Sequence, residues 1–251
     1  MKRRRPAVER DTVVYGIHAV GHLLRNSADR ILELQVAEDR SDQRLLAIRE
    51  LAVDHGIDPV SATRQEMDGR ASGQHQGVVA VVRPRPPGNE NDLGLALDTL
   101  EEPLLLVLDC IQDPHNLGAC LRTADATGVG AVVAPRDRAA SLTATVRKVA
   151  SGASETVPFF QVTNLARTLR ELGERGIRRV GADGEAETSL FAADLRGPLA
   201  IVMGGEGRGL RRLTREHCDL LVSLPMLGAV ESLNVSVATG VCLYTALSQR
   251  V

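Results

Sequence analysis

Hydrophobic and polar positions follow two patterns in the first third of the chain. Apolar residues recur at helical spacing in HAVGHLLRN (18–26) and DQRLLAIRELAVDHG (42–56), which predicts two amphipathic helices. The short runs ILELQVAE (31–38) and GVVAVV (77–82) are rich in β-branched residues and predict two strands. Residues 11–83 are therefore expected to form a small α/β domain.

The alternation is stronger in the rest of the chain. Continuous apolar runs predict strands at 104–109, 130–135, 156–162, 177–183, 199–204 and 220–225. Helices are predicted between and after them at 117–127, 142–151, 165–175, 210–217 and 232–249. Apolar strands that alternate with amphipathic helices indicate an α/β fold with a largely parallel sheet covered on both faces.

A polar segment separates the two regions. RPRPPGNENDLG (83–94) contains three prolines and two glycines and interrupts the hydrophobic pattern on both sides. We interpret residues 84–94 as a linker. The predicted organisation is a basic leader over residues 1–10, a first domain over 11–83, this linker, and a second domain over 95–251.

Composition narrows the class of protein. The 251 residues are 43% hydrophobic and 25% charged, which is ordinary for a globular protein, and no run of 18 apolar residues suggests a membrane span. The basic N-terminus lacks the apolar region of a signal peptide, and four scattered cysteines suit the cytosol better than a disulfide framework. These features favour a cytoplasmic protein.

Charge and aromatic content indicate how the protein could bind a nucleic acid. The formal net charge is −2, so bulk electrostatics do not indicate such a partner. Aromatic residues make up only 2% of the chain, which argues against base stacking on aromatic platforms. The cluster Lys2–Arg5 in the leader suits either a phosphate-binding arm or a disordered solubilising tail, and the tail is favoured.

Three unusual loops follow predicted strands. Ligands in parallel α/β sheets bind at the carboxyl ends of strands, and this is where these loops lie. The first, DPHNLGACLRTADATG (113–128), starts a helix for which Asn116 is a natural N-cap. Arg122 lies off the apolar face of that helix and could project toward the loop, although a capped helix with a surface arginine explains the pattern equally well.

The second loop, MGGEGRGL (203–210), is glycine-rich. Its four glycines permit positive φ angles and close approach of the backbone to a ligand. Glu206 would repel a phosphate, so the loop fits a cationic or hydroxyl-bearing ligand better. Such loops are often only turns, and this one alone is weak evidence.

The third loop leads into the C-terminal helix, in LPMLGAVESLNVSVATG (224–240). Ser232 or its neighbour is expected to cap this helix, with Asn234 and Ser236 in its first turn. Leu233, Val237, Val241 and Tyr244 follow at helical spacing and are predicted to be core residues.

Taken together and in this order, the three segments resemble the motifs of the SpoU/TrmH class of RNA ribose 2′-O-methyltransferases, in the SPOUT superfamily. VYGIHAVGHLLRN (14–26) and HQGVVAVV (75–82) resemble the small substrate-binding domain of the type that methylates 23S rRNA. VTNLARTLRELGERGI (162–177) and RRLTREHCDLLVSLPM (211–226) are similar to the same type.

The resemblance implies a fold and a reaction. It implies a C-terminal SPOUT domain with a deep trefoil knot, which overrides the general rarity of knots, and an N-terminal substrate-binding domain. It implies 2′-O-methylation of a guanosine ribose in the peptidyl-transferase region of 23S rRNA by a homodimer. The methyl donor would be S-adenosylmethionine, held by Gly204, Gly205, Leu224, Met226, Leu233 and Asn234.

The resemblance also assigns the catalytic group to Arg122, Asn116, Glu206, Ser232 and Asn234. Arg122 would activate the ribose hydroxyl, either as a transient base or by clamping the substrate phosphate. The clamp is physically easier, because a guanidinium stays protonated in proteins. Methyl transfer from a sulfonium releases a neutral leaving group, so no metal is expected. His18 and His22 lie four residues apart on a helix, but no third metal ligand accompanies them.

Other functions fit parts of the pattern. A nucleotide-dependent oxidoreductase shares the α/β alternation, but no strand leads into a G-x-G-x-x-G turn. A non-catalytic RNA-binding protein would not need the full set of polar residues in the three loops. The same chemistry on tRNA is a further alternative, and the preference for rRNA rests on analogy.

Overall fold

The computed structural model describes residues 11–251 except 41, 72, 206 and 208. The leader at residues 1–10, including Lys2–Arg5, and Glu206 therefore lie outside the described residues. The chain divides into two compact units between Pro86 and Pro87. Within the described part, no helix is long and apolar enough to cross a membrane.

Over its described residues, the first unit is a four-stranded sheet with three α-helices. Its elements are β1 (Thr12–Tyr15), α1 (Ile17–Ser27), β2 (Ile31–Ala37), α2 (Gln43–Asp54), β3 (Val60–Ala62), α3 (Arg64–Arg70) and β4 (Val78–Val82). The strand order is β1-β4-β2-β3, with β4 antiparallel to both neighbours and β2 parallel to β3. The sequence pattern predicted the longer elements, whereas β1, β3 and α3 are too short to give a clear period.

Over its described residues, the second unit contains seven α-helices and a seven-stranded parallel sheet. Its helices are α4 (Glu90–Leu97), α5 (Pro114–Ala126), α6 (Ala144–Ala150), α7 (Ala153–Thr156), α8 (Leu165–Glu174), α9 (Arg212–Glu216) and α10 (Val235–Ser248). Its strands are β5 (Leu104–Asp109), β6 (Ala131–Pro135), β7 (Phe159–Val162), β8 (Arg178–Ala182), β9 (Thr188–Ser189), β10 (Leu199–Gly204) and β11 (Leu220–Ser223). The strand order is β7-β6-β5-β10-β8-β11-β9, and every pairing is parallel.

The core of this unit lies on both faces of the sheet, as predicted for an α/β fold. Side chains of β5 alternate between the faces, with Leu106 in one apolar cluster and Leu105 in the other. Helices α5, α6, α7 and α10 contribute to the first cluster, and α4 and α8 contribute to the second. Burying one such leucine side chain stabilises the fold by roughly 1.5–3 kcal/mol.

The segment predicted as a linker is ordered over its second half. The Gly88 N–H donates to the Phe159 carbonyl (2.9 Å) and its carbonyl accepts from Gln161 N–H (2.8 Å), so the chain joins the sheet edge there. Asn89 then caps α4, because its side chain accepts from the N–H groups of Asn91 and Asp92. The predicted linker 84–94 is therefore wrong from Gly88 onward, since a capping residue at Asn89 starts a helix.

The largest shift of a predicted strand boundary is at the start of β7. Ser151 (φ 53°) and Gly152 (φ 96°) form a left-handed turn between α6 and α7. The short helix α7 ends at Thr156, so β7 begins at Phe159 and not at residue 156 as predicted. A polar stretch next to an apolar strand gave no signal for this extra turn of helix.

Candidate functional site

Two of the three loops leave the sheet side by side. Strands β5 and β10 are parallel neighbours, and Asp109 is in register with Gly204 at their carboxyl ends. The loops that follow these residues therefore start within one strand spacing of each other. Strand β11 ends at Ser223, beyond β8, and leads through the third loop to α10.

The first loop is shaped by residues other than those the sequence suggested. Helix α5 begins at Pro114, and Asp113 is its N-cap, because the Asp113 side chain accepts from the His115 N–H at 2.9 Å. Proline suits the first helical position, since the N–H that it lacks has no helical partner there. The prediction that Asn116 caps the helix is wrong: Asn116 lies inside the first turn and is buried.

Asn116 instead connects the first loop to the third. Its Oδ1 accepts a hydrogen bond from Nδ2 of Asn234 at 2.9 Å. Asn234 is the N-cap of α10, and its Oδ1 accepts from the backbone N–H of Ser236. The cap predicted at Ser232 or its neighbour is thus Asn234, and Ser232 is exposed two residues before it.

The glycine loop folds back on itself at close range. A Cβ on Gly204 would lie 2.2 Å from the backbone carbon of Gly209, so only glycine fits. A Cβ on Gly205 would lie 2.8 Å from the Cys110 carbonyl oxygen, which places this loop directly against the first one. The Gly209 N–H donates to the Gly205 carbonyl (3.0 Å) and closes the turn. Backbone groups of Gly204, Gly205 and Gly209 therefore lie close together at this corner of the site.

A buried carboxylate holds the two loops together. Asp109 is fully buried at the end of β5, and it accepts from the backbone N–H (3.0 Å) and the Nε (2.6 Å) of Arg211. Arg211 follows the glycine loop directly, so this pair fixes where the loop ends. Sequence reasoning missed the pair, because Asp109 was read only as the end of a strand. An acidic residue after five apolar ones was the available signal.

Cys110 lies at the junction of the two loops. It adopts a left-handed backbone (φ 63°), which is uncommon for a residue with a side chain. Burial raises the pKa of its thiol, and the neighbouring Asp109 carboxylate raises this pKa further. Cys110 therefore stays a neutral thiol near pH 7.

Arg122 is exposed on α5, while its neighbours Leu121 and Ala124 are buried in the core. Among the described residues, no hydrogen bond or ion pair engages its guanidinium. The side chain is available to a ligand, as the sequence pattern suggested. Its catalytic role stays a prediction, as do the roles of Asn116, Ser232 and Asn234. The role of Glu206 lies outside the described residues.

The third loop offers a partly apolar wall. Leu224 is half-buried against the core cluster, and Met226 is also half-buried.

The prediction of core residues in and just before α10 is wrong at three positions. Leu233 is 38% exposed, and Val237 and Tyr244 are each 53% exposed. Val241 is half-buried, and the fully buried side of α10 is formed by Val235, Thr239, Cys242, Leu243 and Ala246. Because α10 is apolar on every side, periodicity could not select its inner face.

Three histidines of the first unit, His18, His22 and His75, were candidates for binding a metal or RNA. No group of three metal-binding side chains occurs within the described ranges, so His18 and His22 gain no third ligand there. His75 is buried, accepts from the Gly77 N–H through Nδ1, and lies 3.2 Å from the Asp68 carboxylate through Nε2. These contacts shape the turn before β4.

Comparisons with known families match both units. The sequence model of the SpoU rRNA Methylase family matches residues 103–244. The model described as RNA 2′-O ribose methyltransferase substrate binding matches residues 13–88.

Curated relatives match nearly the whole chain. The chain is 56% identical over 238 residues to 23S rRNA (guanosine-2′-O-)-methyltransferase RlmB of Pseudomonas aeruginosa, covering 94% of this chain and 96% of the relative. It is 52% identical over 239 residues to the protein of the same name from Escherichia coli K12, covering 95% and 98%.

Solved structures share the fold. The SpoU methyltransferase AviRb from Streptomyces viridochromogenes, in complex with AdoMet, aligns with a TM-score of 0.70 at 23% identity over 99% of this chain and 94% of that chain. A TrmH/SpoU tRNA modifying enzyme from A. aeolicus aligns with a TM-score of 0.54 at 30% identity over 64% and 83%.

Proposed function

Because this chain belongs to the SpoU rRNA methylase family, we propose that it methylates the ribose 2′-oxygen of a guanosine in 23S rRNA with S-adenosylmethionine as donor. The observation that carries this conclusion is 56% identity to a 23S rRNA guanosine methyltransferase over almost the full length of both chains. The peptidyl-transferase region is the part of 23S rRNA in which we expect the methylated nucleotide.

The rRNA substrate is favoured over tRNA by the extent of the match. The rRNA-modifying relatives cover 94–95% of this chain, including the first unit. The tRNA-modifying structure from A. aeolicus covers only 64% of it. A substrate-binding unit together with a methylase unit also supports an enzyme over a non-catalytic RNA-binding protein.

The residues around the glycine loop fit the donor. Gly204 and Gly205 are half-buried at the bend of the glycine loop, and the half-buried Leu224 and Met226 supply apolar contact for an adenine ring. Leu233 and Asn234 would contribute where the third loop meets α10. We propose these six residues as the donor site. When bound, S-adenosylmethionine supplies an electrophilic methyl group on a positively charged sulfur.

We propose that Arg122 orients the reacting hydroxyl by clamping the adjacent phosphate. Its guanidinium stays protonated and has five N–H donors suited to a phosphate. The ribose oxygen would take the methyl group and give its proton to solvent water, and the methyl–sulfur bond of the donor would break to leave a neutral thioether. The hydrogen bond between Asn116 and Asn234 fixes the start of α5 relative to α10, and thereby the position of Arg122. Ser232 would support the donor and the reacting ribose, and Glu206 would hold Arg122 or accept a hydrogen bond from the nucleotide.

The first unit is proposed to bind the rRNA around the target. Arg40 and Arg44 line a cavity of about 550 Å³ together with Ile17, Asp42, Gln43 and Gln76. The Arg40 guanidinium donates to the Gln76 carbonyl (3.1 Å), which orders the wall of this cavity. Exposed arginines and amides of this kind suit the phosphates and base edges of RNA.

We also propose a homodimer, a cytoplasmic location and a trefoil knot in the second unit. The exposed apolar residues of α10 support a protein interface, because isolated proteins rarely expose such a stripe. A ribosomal RNA substrate supports a cytoplasmic location. The knot is supported by strand order, since the chain runs from β8 to β10 and then returns to β11 on the far side of β8.

Mapping of ribose methylation tests the proposal. Ribose methylation of 23S rRNA is compared between cells with and without this protein, and purified protein with S-adenosylmethionine is then added to the unmodified rRNA. We expect one guanosine to lack its 2′-O-methyl group in rRNA from cells without the protein, and to gain this group when the purified protein is added. Restoration of a mark on tRNA alone would instead support the alternative substrate.

A further inference from the structure

A second opening lies beside the proposed reaction site in the same unit. It is a cavity of about 560 Å³ at the carboxyl ends of β6 and β7. Its walls are the segment after β6, with Asp137 and Arg138, the start of α8 at Asn164, and the start of α9 at Arg211 and Arg212. None of these residues belongs to the catalytic or donor groups proposed above. We refer to it as the β6–β7 cavity.

The walls of the β6–β7 cavity contain more arginine than acidic side chains. Three arginines line it against one aspartate, Asp137. Arg211 is neutralised by Asp109, and Arg212 by Glu216, whose carboxylate lies 2.6 Å from it. Arg138 is exposed, and no hydrogen bond or ion pair to it is found among the residues that the structure describes. Arg138 is therefore the arginine of the lining whose guanidinium donors are available to a ligand.

Backbone donors add to those of Arg138. Helix α8 has ten residues, and its first residues Leu165 and Ala166 line the cavity with the capping residue Asn164. The first N–H groups of a helix have no acceptor within the helix, and the macrodipole makes this end partly positive. Asn164 accepts from the Arg167 N–H, and the earlier N–H groups remain for a ligand. An anion placed here would meet both a guanidinium and the positive end of a helix.

The segment that carries Arg138 is tied to the first loop. Arg138 itself adopts a left-handed backbone conformation (φ 58°), which is uncommon for a residue with a side chain. Two residues later, the Ala140 N–H donates to the Ile111 carbonyl (2.7 Å), which ties this segment to the first loop. On the opposite wall, Arg211 is tied to Asp109 at the start of that loop. Hydrogen bonds thus join both walls of the cavity to the first loop or to the residue at its start.

We propose that the β6–β7 cavity binds a backbone phosphate of the rRNA strand next to the target nucleotide, with Arg138 as its principal cation. This inference rests on the proposed function. Planar guanidinium groups match phosphate oxygens, and the walls offer no aromatic face on which a base could stack. A phosphate contact positions the strand and carries no sequence information, so Arg138 would set affinity and register, not the choice of guanosine.

Replacing Arg138 in the full-length protein tests this inference. Arg138→Asn removes the charge and keeps a residue that tolerates a left-handed backbone, and Arg138→Lys keeps the charge. The matched control is Arg170→Asn, an exposed arginine on α8 paired with Glu174. The affinity for an unmodified 23S rRNA fragment is measured at several salt concentrations, and S-adenosylmethionine binding is measured separately.

We expect Arg138→Asn to bind the fragment more weakly and to reduce the slope of log affinity against log salt by about 0.7–1, the loss of one phosphate contact. Arg138→Lys should retain most of the slope of the unmodified protein, and Arg170→Asn should retain all of it. Binding of S-adenosylmethionine should be unchanged in all three variants. An Arg138→Asn slope equal to that of the unmodified protein, or an equal loss in Arg170→Asn, would overturn the inference. Failure of the proposed function would give a different result from failure of this inference, because the unmodified protein itself would then not methylate the fragment.

Discussion

At the scale of single residues, two hydrogen-bonded pairs, each with one buried member, set the geometry of the site. Asn116 and Asn234 are 118 positions apart in the chain and share one hydrogen bond. Asp109 and Arg211 are 102 positions apart and share two. A buried polar group is costly unless it is paired, so each pair specifies one arrangement of the loops. Sequence reasoning selected Asn116, Asn234 and Arg122, but it assigned Asn116 the wrong local role and overlooked Asp109.

Replacing Arg122 with alanine is expected to abolish methylation and leave donor binding intact. Arg122 is exposed and outside the core, so its loss removes the phosphate clamp without disturbing the fold. One oriented charge contact is worth roughly 10²–10³ in kcat. Single-turnover methylation and calorimetric titration with S-adenosylmethionine measure the two effects. Near-normal turnover by this variant would remove Arg122 from the mechanism.

Replacing Asp109 with asparagine is expected to weaken both stability and donor binding. The amide keeps one acceptor but cannot satisfy both Arg211 donors, so the free energy of unfolding should fall by about 1–3 kcal/mol. Urea unfolding and S-adenosylmethionine affinity are the measurements. The control, Asp194→Asn, breaks an exposed pair with Arg196 and should leave both unchanged. Unaltered donor affinity in the Asp109 variant would show that the pair does not position the glycine loop.

At the scale of elements, the loops depend on backbone that side chains cannot replace. The glycine loop brings Gly204 against Gly209 at distances at which no Cβ fits. Helix α5 starts at a proline after an aspartate cap, and α10 starts after an asparagine cap. These starts place the polar residues of the first turns at the carboxyl edge of the sheet. Glycine content and spacing indicated this loop, but only the fold shows which glycine tolerates no substitution.

Gly204→Ala is expected to abolish donor binding. The added methyl would lie 2.2–2.5 Å from backbone atoms of Gly209 and Leu210, which cannot move without opening the loop. Overpacking of this kind costs roughly 1–3 kcal/mol in stability. Gly184→Ala is the matched control, since a Cβ there meets nothing within 4 Å. Thermal unfolding and S-adenosylmethionine titration compare the two variants, and equal donor affinity would contradict the proposed role of this bend.

At the scale of the whole molecule, α10 both completes the core and presents an apolar surface. Cys242 and Leu243 are buried, whereas Val237 and Tyr244, which are seven residues apart on one face of the same helix, are each 53% exposed. Both Val237 and Tyr244 follow Asn234, the residue that joins the first and third loops. A partner subunit on this face would therefore lie close to the proposed donor site.

Val237→Glu is expected to convert the proposed dimer into a monomer. A charge buried in an apolar interface is unfavourable unless it is paired, whereas an exposed glutamate does not disturb the fold. Sedimentation velocity of the purified variant measures the change. Val53→Glu, at a 61% exposed position on α2, is the control and should keep the mass of the unmodified protein. A monomeric unmodified protein would contradict the proposal.

The sequence by itself determined the α/β class, most strands of the parallel sheet and the three loops. These follow from local properties, namely hydrophobic period, capping residues and glycine, which a short window of sequence contains. The tertiary structure alone decided which residues meet across the chain and which face of α10 is buried. Pairs such as Asp109 with Arg211 depend on strand order and register, and an all-apolar helix has no period to reveal its inner side. The partner of a buried polar group and the buried side of an apolar helix are both decided when distant segments pack together, because only then are their neighbours in space fixed.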